Sequence, residues 1–311
     1  MMDRLLRSLV DDPRVTDVLV NGDGSIWVDR GERLERAPDS LPDAESVRRL
    51  AVRLAAAATQ RLDDSMPYAD GQLPGGVRLH AVLAPIATDG AHISLRIARR
   101  GHLSLDDLEA RGFLDRAQAL QVRRLVAERR SVLVTGGTGT GKTTLLAAML
   151  ATLPPSERLV VVEDVSELHL PRLHAVRLQA RHRNVEGAGE VTMTDLVRQA
   201  MRMRPDRIVV GEVRGAEVVD LLRAFNTGHE GGLASVHANS PQGVMTRLEA
   251  LGALAGLPAA AVRSQAQEAI DAVVHLGRVA GRRSVREIVV PWPRRGSAGP
   301  ARALGSAGDA A

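Results

Sequence analysis

Between residues 15 and 29 apolar and polar positions alternate: VTDVLV, then NGDG, then SIWVD. A period of two, interrupted by an Asn/Gly/Asp turn, predicts a β-hairpin, and short strands with turns are expected as far as residue 37. From 43 to 62 the period lengthens, with Val47, Leu50, Leu54 and Ala58 on one face, which predicts an amphipathic helix. After Pro67 extended patterning returns in VRLHAVLAPI and HISLRI, separated by the turn TDG. Together these segments predict a small α+β domain over residues 1–98.

Residues 99–112 read as a linker. RRGH at 99–102 carries little periodicity, while Ser104, followed by acidic residues, signals a helix N-cap. A helix is expected over 115–129. From residue 131 the pattern changes in kind. Strand-like runs (SVLVT, RLVVVED, AVRLQA, RIVVGE, LASVHA) alternate with helical segments at 142–153, 193–203, 216–227, 241–254 and 258–271. That alternation predicts a mainly parallel sheet covered by helices, an α/β domain over residues 113–293. AVVHLGR and SVREIVVP form a candidate hairpin at its end. The tail, 294–311, is Gly, Ala, Ser and Arg without a core-forming pattern, and is expected to be disordered.

Composition changes this picture at few points. A chain of 311 residues accommodates about two domains. Its formal charge is only +4, and of 41 basic residues a single one, Lys142, is a lysine. The arginines are scattered along the chain, which argues against nucleic acid as a partner. Cysteine is absent, which excludes disulfides and thiolate metal sites. The N-terminus lacks a signal-peptide core, and no segment approaches the ~18 apolar residues of a membrane span. The expected location is the cytoplasm, with any membrane attachment made through a partner.

The solitary lysine sits in Gly136–Thr143, which fits G-x-x-x-x-G-K-[ST] between a predicted strand and a predicted helix. A polyanion held by backbone N–H groups needs small residues and backbone at positive φ. Gly136, Gly137, Thr138, Gly139, Thr140, Gly141, Lys142, Thr143 and Thr144 form the candidate cradle. Lys142 is expected at the β- and γ-phosphates and the Thr143 hydroxyl at Mg²⁺. Hydrolysis also requires a group that orients water and takes its proton. RIVVGE ends in Glu212, with Gly211 where an aspartate is more usual; RLVVVEDVSE supplies Glu163, Asp164 and Glu167. In NTGHEGGLASVHANS, His229 lies in a glycine-flanked turn and His237 at the far end of the strand. Both are expected to hydrogen-bond the γ-phosphate or the carboxylate strands; a metal site there is disfavoured.

With these elements in order the chain resembles the secretion ATPase superfamily of type II and type IV secretion and type IV pili. The resemblance is nearest to the CpaF-like ATPases of tight-adherence (Tad) pili. It is carried by GGTGTGKTTLL, VVEDVSELHL, MRPDRIVVGEVRG and TGHEGGLASVHANSP, and covers about residues 10–290. The family tolerates glycine at the position of Gly211. It implies a RecA-like phosphate-loop domain behind a smaller N-terminal domain, ATP hydrolysis with Mg²⁺, a homo-hexamer and an inner-membrane platform as partner. It also implies arginines reaching the nucleotide from the smaller domain, at Arg78 and Arg96; Gln72 stands where many relatives have a third. Two rivals stay open: a RecA-like DNA translocase or conjugal-transfer ATPase, and a nucleotide-gated regulator without turnover. A GTPase would need N-K-x-D, and the only lysine is already in the loop.

Overall fold

The computed structural model describes residues 4–30, 33–97, 103–168, 170, 173–181, 189–279 and 282–292. The linker segment 99–102 and the tail 294–311 lie outside the described residues. Two compact units divide the chain, Met1–Gly101 and His102–Ala311.

The first unit runs α1 (Arg4–Asp11), β1 (Asp17–Val20), β2 (Ser25–Asp29), β3 (Leu34–Ser40), α2 (Ala44–Ala57), β4 (Tyr68–Leu73), β5 (Val77–Val82) and β6 (His92–Ile97). The strands form one antiparallel sheet in the order β3-β2-β1-β6-β5-β4. α2 begins at Asp43, whose side chain accepts from the Ser46 N–H, and buries Val47, Leu50, Ala51, Leu54 and Ala55. These pack with Val18, Val28, Leu79 and Leu95 from alternating positions of the sheet. On the other face Gln72, Arg78, Arg96 and Asp17 are successive cross-strand partners, and Arg96 Nε donates to Asp17 Oδ1 at 3.0 Å. α1 and β4 were not expected. YADGQL carries Asp and Gly, residues depleted in strands; it is a strand because β5 supplies its hydrogen-bond partners.

The second unit comprises α3 (Leu105–Ala110), α4 (Arg116–Ala127), β7 (Val132–Gly136), α5 (Lys142–Leu150), β8 (Arg158–Glu163), β9 (His174–Gln179) and α6 (Met193–Ala200). It continues with β10 (Arg207–Val213), α7 (Glu217–Asn226), β11 (Leu233–Val236), α8 (Val244–Leu254), α9 (Ala259–Ala269), β12 (Ala272–Val279) and β13 (Arg282–Val289). Their sheet has the order β13-β12-β7-β11-β10-β8-β9. Every neighbouring pair is parallel except β12 with β13. α3 falls inside the expected linker: a Ser104–Asp107 capping box starts it, and Leu105 and Leu108 anchor it in the second unit's core.

Both faces of this sheet are covered, which explains its uninterrupted apolar runs. Val132, Val134, Val161 and Val209 pack on one side with Leu145, Leu146 and Met149 of α5. Leu133, Val160, Val162, Ile208 and Val210 pack on the other with residues of α6 to α9. Parallel strands put all their C-terminal ends at one edge, where open α/β sheets bind ligands.

Candidate nucleotide-binding site

At that edge β7 passes into α5 through Gly136–Gly141. Gly136, Gly139 and Gly141 adopt φ of 146°, 68° and 100°, a region closed to most side chains. Space excludes larger residues as well. A Cβ at Gly136 would lie 2.7 Å from the Leu276 carbonyl oxygen, and one at Gly141 would lie 3.0 Å from the Phe113 ring. Gly141 caps α5 without any side-chain bond, so the first N–H groups of the helix remain available to an anion. Thr140 Oγ1 donates to the Gly137 carbonyl at 2.9 Å and closes the loop on itself.

Lys142 is the cation of this cradle. Its Nζ donates to the carbonyls of Gly136 and Gly137, each at 3.0 Å, and lies 3.8 Å from Glu212 Oε1. Burial pushes its pKa down; the carboxylates of Glu212 and Glu167 oppose that shift. A buried ammonium held by two carbonyls gains when a polyanion arrives. One residue on, Thr143 Oγ1 donates to Glu167 Oε2 at 3.2 Å. This hydroxyl and carboxylate are hard oxygen donors suited to Mg²⁺, which keeps several waters and phosphate oxygens in its shell. Among the described residues no group of three or more His, Cys, Asp or Glu could hold a metal by itself.

The two carboxylate strands converge here, because β10 pairs β8 from Arg207–Leu159 to Val210–Val162. Glu163 is buried. Its Oε1 accepts the N–H groups of Glu167 and Leu168, both at 3.0 Å, and fixes the turn that carries Glu167 to Thr143. Its Oε2 is buried without a partner. Burial raises the pKa of Glu163, outweighing the two N–H bonds. The glycine at 211 follows from this neighbour: a Cβ there would sit 2.9 Å from Glu163 Cγ, so an aspartate in that place would displace the buried carboxyl.

The raised pKa makes Glu163 a pH-dependent liability for folding. Above the unfolded value of 4.5 the unfolded chain loses this proton before the folded one does, so stability falls as pH rises through that window. Glu163→Gln is expected to melt higher than the wild type at neutral pH, with the difference vanishing below the unfolded pKa. Parallel thermal melts across pH check this; a lower melting temperature for the variant at pH 7 would contradict it.

Glu212 occupies the end of β10, and Arg214 holds it: Nε at 2.9 Å and Nη2 at 2.5 Å, both to Oε2. Arg214 itself is placed by Glu217, whose Oε1 accepts the N–H groups of Arg214 and Gly215 at 2.7 and 2.8 Å. Sequence reasoning assigned no role to Arg214, Glu217 or Phe113. VRG was visible beside Glu212, but nothing local announces that the arginine folds back onto the carboxylate.

The histidines separate. His237 follows Val236, the register partner of Thr135, and so stands at the phosphate edge. His229 precedes Leu233, whose partner is Val132 at the start of β7. It therefore precedes the strand at the edge opposite His237, and its Nδ1 is buried without a partner. The four residues of β11 thus stand between the two histidines, His237 after its last residue and His229 before its first. Arg78 and Arg96 belong to the first unit, where they face each other across β5 and β6.

The family described as "Type II/IV secretion system protein" matches residues 2–290. A Mycobacterium tuberculosis protein, named provisionally for conjugal transfer, is 55% identical over 293 residues, covering 92% of this chain and 83% of that one. Type IV secretion system protein PtlH of Bordetella pertussis is 31% identical over 313 residues, with 92% of each chain covered. The X-ray structure of the Legionella pneumophila ATPase DotB, 21% identical, superposes with a TM-score of 0.64 over 93% of this chain and 80% of that one. It shares the α/β fold, a RecA-like phosphate-loop domain preceded by a smaller α+β domain.

Proposed function

Because the chain belongs to the type II/IV secretion system protein family, we propose that it is the Mg²⁺-dependent ATPase motor of a secretion or pilus-assembly apparatus. The observation that carries the proposal is the convergence of Lys142, Thr143, Glu167, Glu163 and Glu212 at one edge of one parallel sheet. Loop amides and Lys142 bind the β- and γ-phosphates. Thr143, with Glu167 beside it, would hold Mg²⁺, which neutralises phosphate charge when bound. Glu212 orients the attacking water and accepts its proton, and Glu163 holds the Glu167 turn in place. His237 hydrogen-bonds at the γ-phosphate. Arg78 and Arg96 neutralise charge developing in the transfer, from the same or a neighbouring subunit.

In this reading the working form is a homo-hexamer at the inner face of the cell membrane. Its partner is an inner-membrane platform, as the resemblance implies; no helix of the described residues is long and apolar enough to cross a bilayer. The finer reading, a CpaF-like Tad pilus motor, rests on the four sequence segments quoted above. A second reading, a conjugal-transfer ATPase, is favoured by the name of the 55% identical relative.

One experiment separates a platform-driven motor from a DNA-driven one. ATP hydrolysis by the purified chain is measured alone, with vesicles carrying an inner-membrane platform protein of such an apparatus, and with DNA at two salt concentrations. The motor reading expects stimulation by the platform and none by DNA. Stimulation by DNA alone, lost steeply with salt, would overturn it in favour of a DNA translocase.

A further inference from the structure

β12 overruns its neighbour at the phosphate edge. Leu276 pairs with Gly136, the last residue of β7, yet β12 continues to Val279. The overhang is fastened from beneath. Thr135 and His275 form a buried hydrogen bond of 2.9 Å between Oγ1 and Nδ1, and burial holds the His275 pKa down. Leu276 packs into the core on the α5 side of the sheet. Two positions further on, Arg278 is exposed, and its Nη2 donates to the Gly139 carbonyl at 3.2 Å. A guanidinium has five N–H donors, and this contact uses one. Among the described residues no carboxylate pairs with Arg278. The neighbouring Arg286, by contrast, lies along β13 against Gly277.

We propose that Arg278 is a phosphate-binding residue of the nucleotide site, a second cation of the cradle supplied by the hairpin strand and not by the loop. The inference rests on the nucleotide reading above. Its physical basis is that a guanidinium left without a carboxylate, and held within hydrogen-bond distance of a loop built for a polyanion, offers its remaining donors to that anion. The contact exists whether or not transfer occurs, so it strengthens binding of ATP and ADP alike and leaves the chemical step nearly unchanged.

The test titrates fluorescent ATP and ADP analogues into the wild type, Lys142→Ala, Arg278→Ala, Arg278→Gln and Arg278→Lys, at low and high salt, and measures kcat and KM for each. Melting without nucleotide checks that each variant is folded. Arg278→Ala is expected to weaken both nucleotides about tenfold, with kcat within about threefold of wild type. Arg278→Lys should recover most of the loss and Arg278→Gln little, and the deficit should shrink with added salt. Full recovery by glutamine would overturn the proposal, since the residue would then serve only the Gly139 carbonyl. Wild-type affinity in Arg278→Ala, while Lys142→Ala binds nothing, would also overturn it and leave the nucleotide reading standing. A wild type that binds no nucleotide would bring down both.

Discussion

Replacing Lys142 by alanine is expected to abolish nucleotide-induced stabilisation and to lower kcat at least about 100-fold, the loss typical when one preorganised stabiliser of developing charge is removed. The size follows from the site. Nζ is the only side-chain ammonium in the chain, it is buried, and two loop carbonyls hold it beside Glu212. No neighbouring lysine can substitute. The fold should survive, because the deleted group is one whose burial costs energy in the empty site, as its lowered pKa indicates. The measurement is a pair of melting curves with and without ATP plus a steady-state hydrolysis assay. A variant that melts like the wild type, gains nothing from ATP and does not hydrolyse it is the expected result. Normal turnover by Lys142→Ala would remove the phosphate assignment, and with it the motor.

Glu212→Gln is expected to bind ATP and yet turn over at least about 100-fold more slowly, within the range for loss of a positioned general base. The side chain keeps its shape, so a loss of rate reports chemistry if the fold is unchanged. That condition is met by magnitude. The pair with Arg214 is partly exposed, with 58% and 27% of the side chains accessible; pairs of this kind contribute about 0–1 kcal/mol. Arg214 also retains Asp164 at 3.9 Å. Single-turnover hydrolysis with prebound ATP isolates the step. Should Glu163→Gln stop the reaction while Glu212→Gln does not, the base is Glu163 and the roles assigned here exchange. The structure weighs against that exchange, since one oxygen of Glu163 is committed to two backbone N–H groups and the carboxyl is buried.

These two outcomes also separate the motor from a nucleotide-gated regulator. A regulator would bind ATP through the same loop and show no difference between the wild type and Glu212→Gln in any hydrolysis assay. The platform-stimulated rate is the decisive comparison, because a motor without its partner can idle.

Much of this was legible along the chain. The phosphate loop declares itself locally: the glycines that must reach positive φ, the single lysine and the following threonine are consecutive, so no distant contact is needed to define them. The alternation of apolar runs with helical segments likewise sufficed for a parallel α/β domain, and Ser104 marked a helix start. Tertiary structure alone decided what depends on register between strands far apart in sequence. It made a strand of the polar YADGQL by pairing it with β5, and it sent His237 and His229 to opposite edges. It explained Gly211 by the side chain of Glu163, 48 residues away, and it turned Arg214 back onto Glu212. It carried Arg278 to Gly139 across 139 residues. Propensity and periodicity act over a few residues, so they determine which elements form. Which side chains meet at their ends is set by the packing of the whole sheet, whose registers no short stretch of sequence encodes.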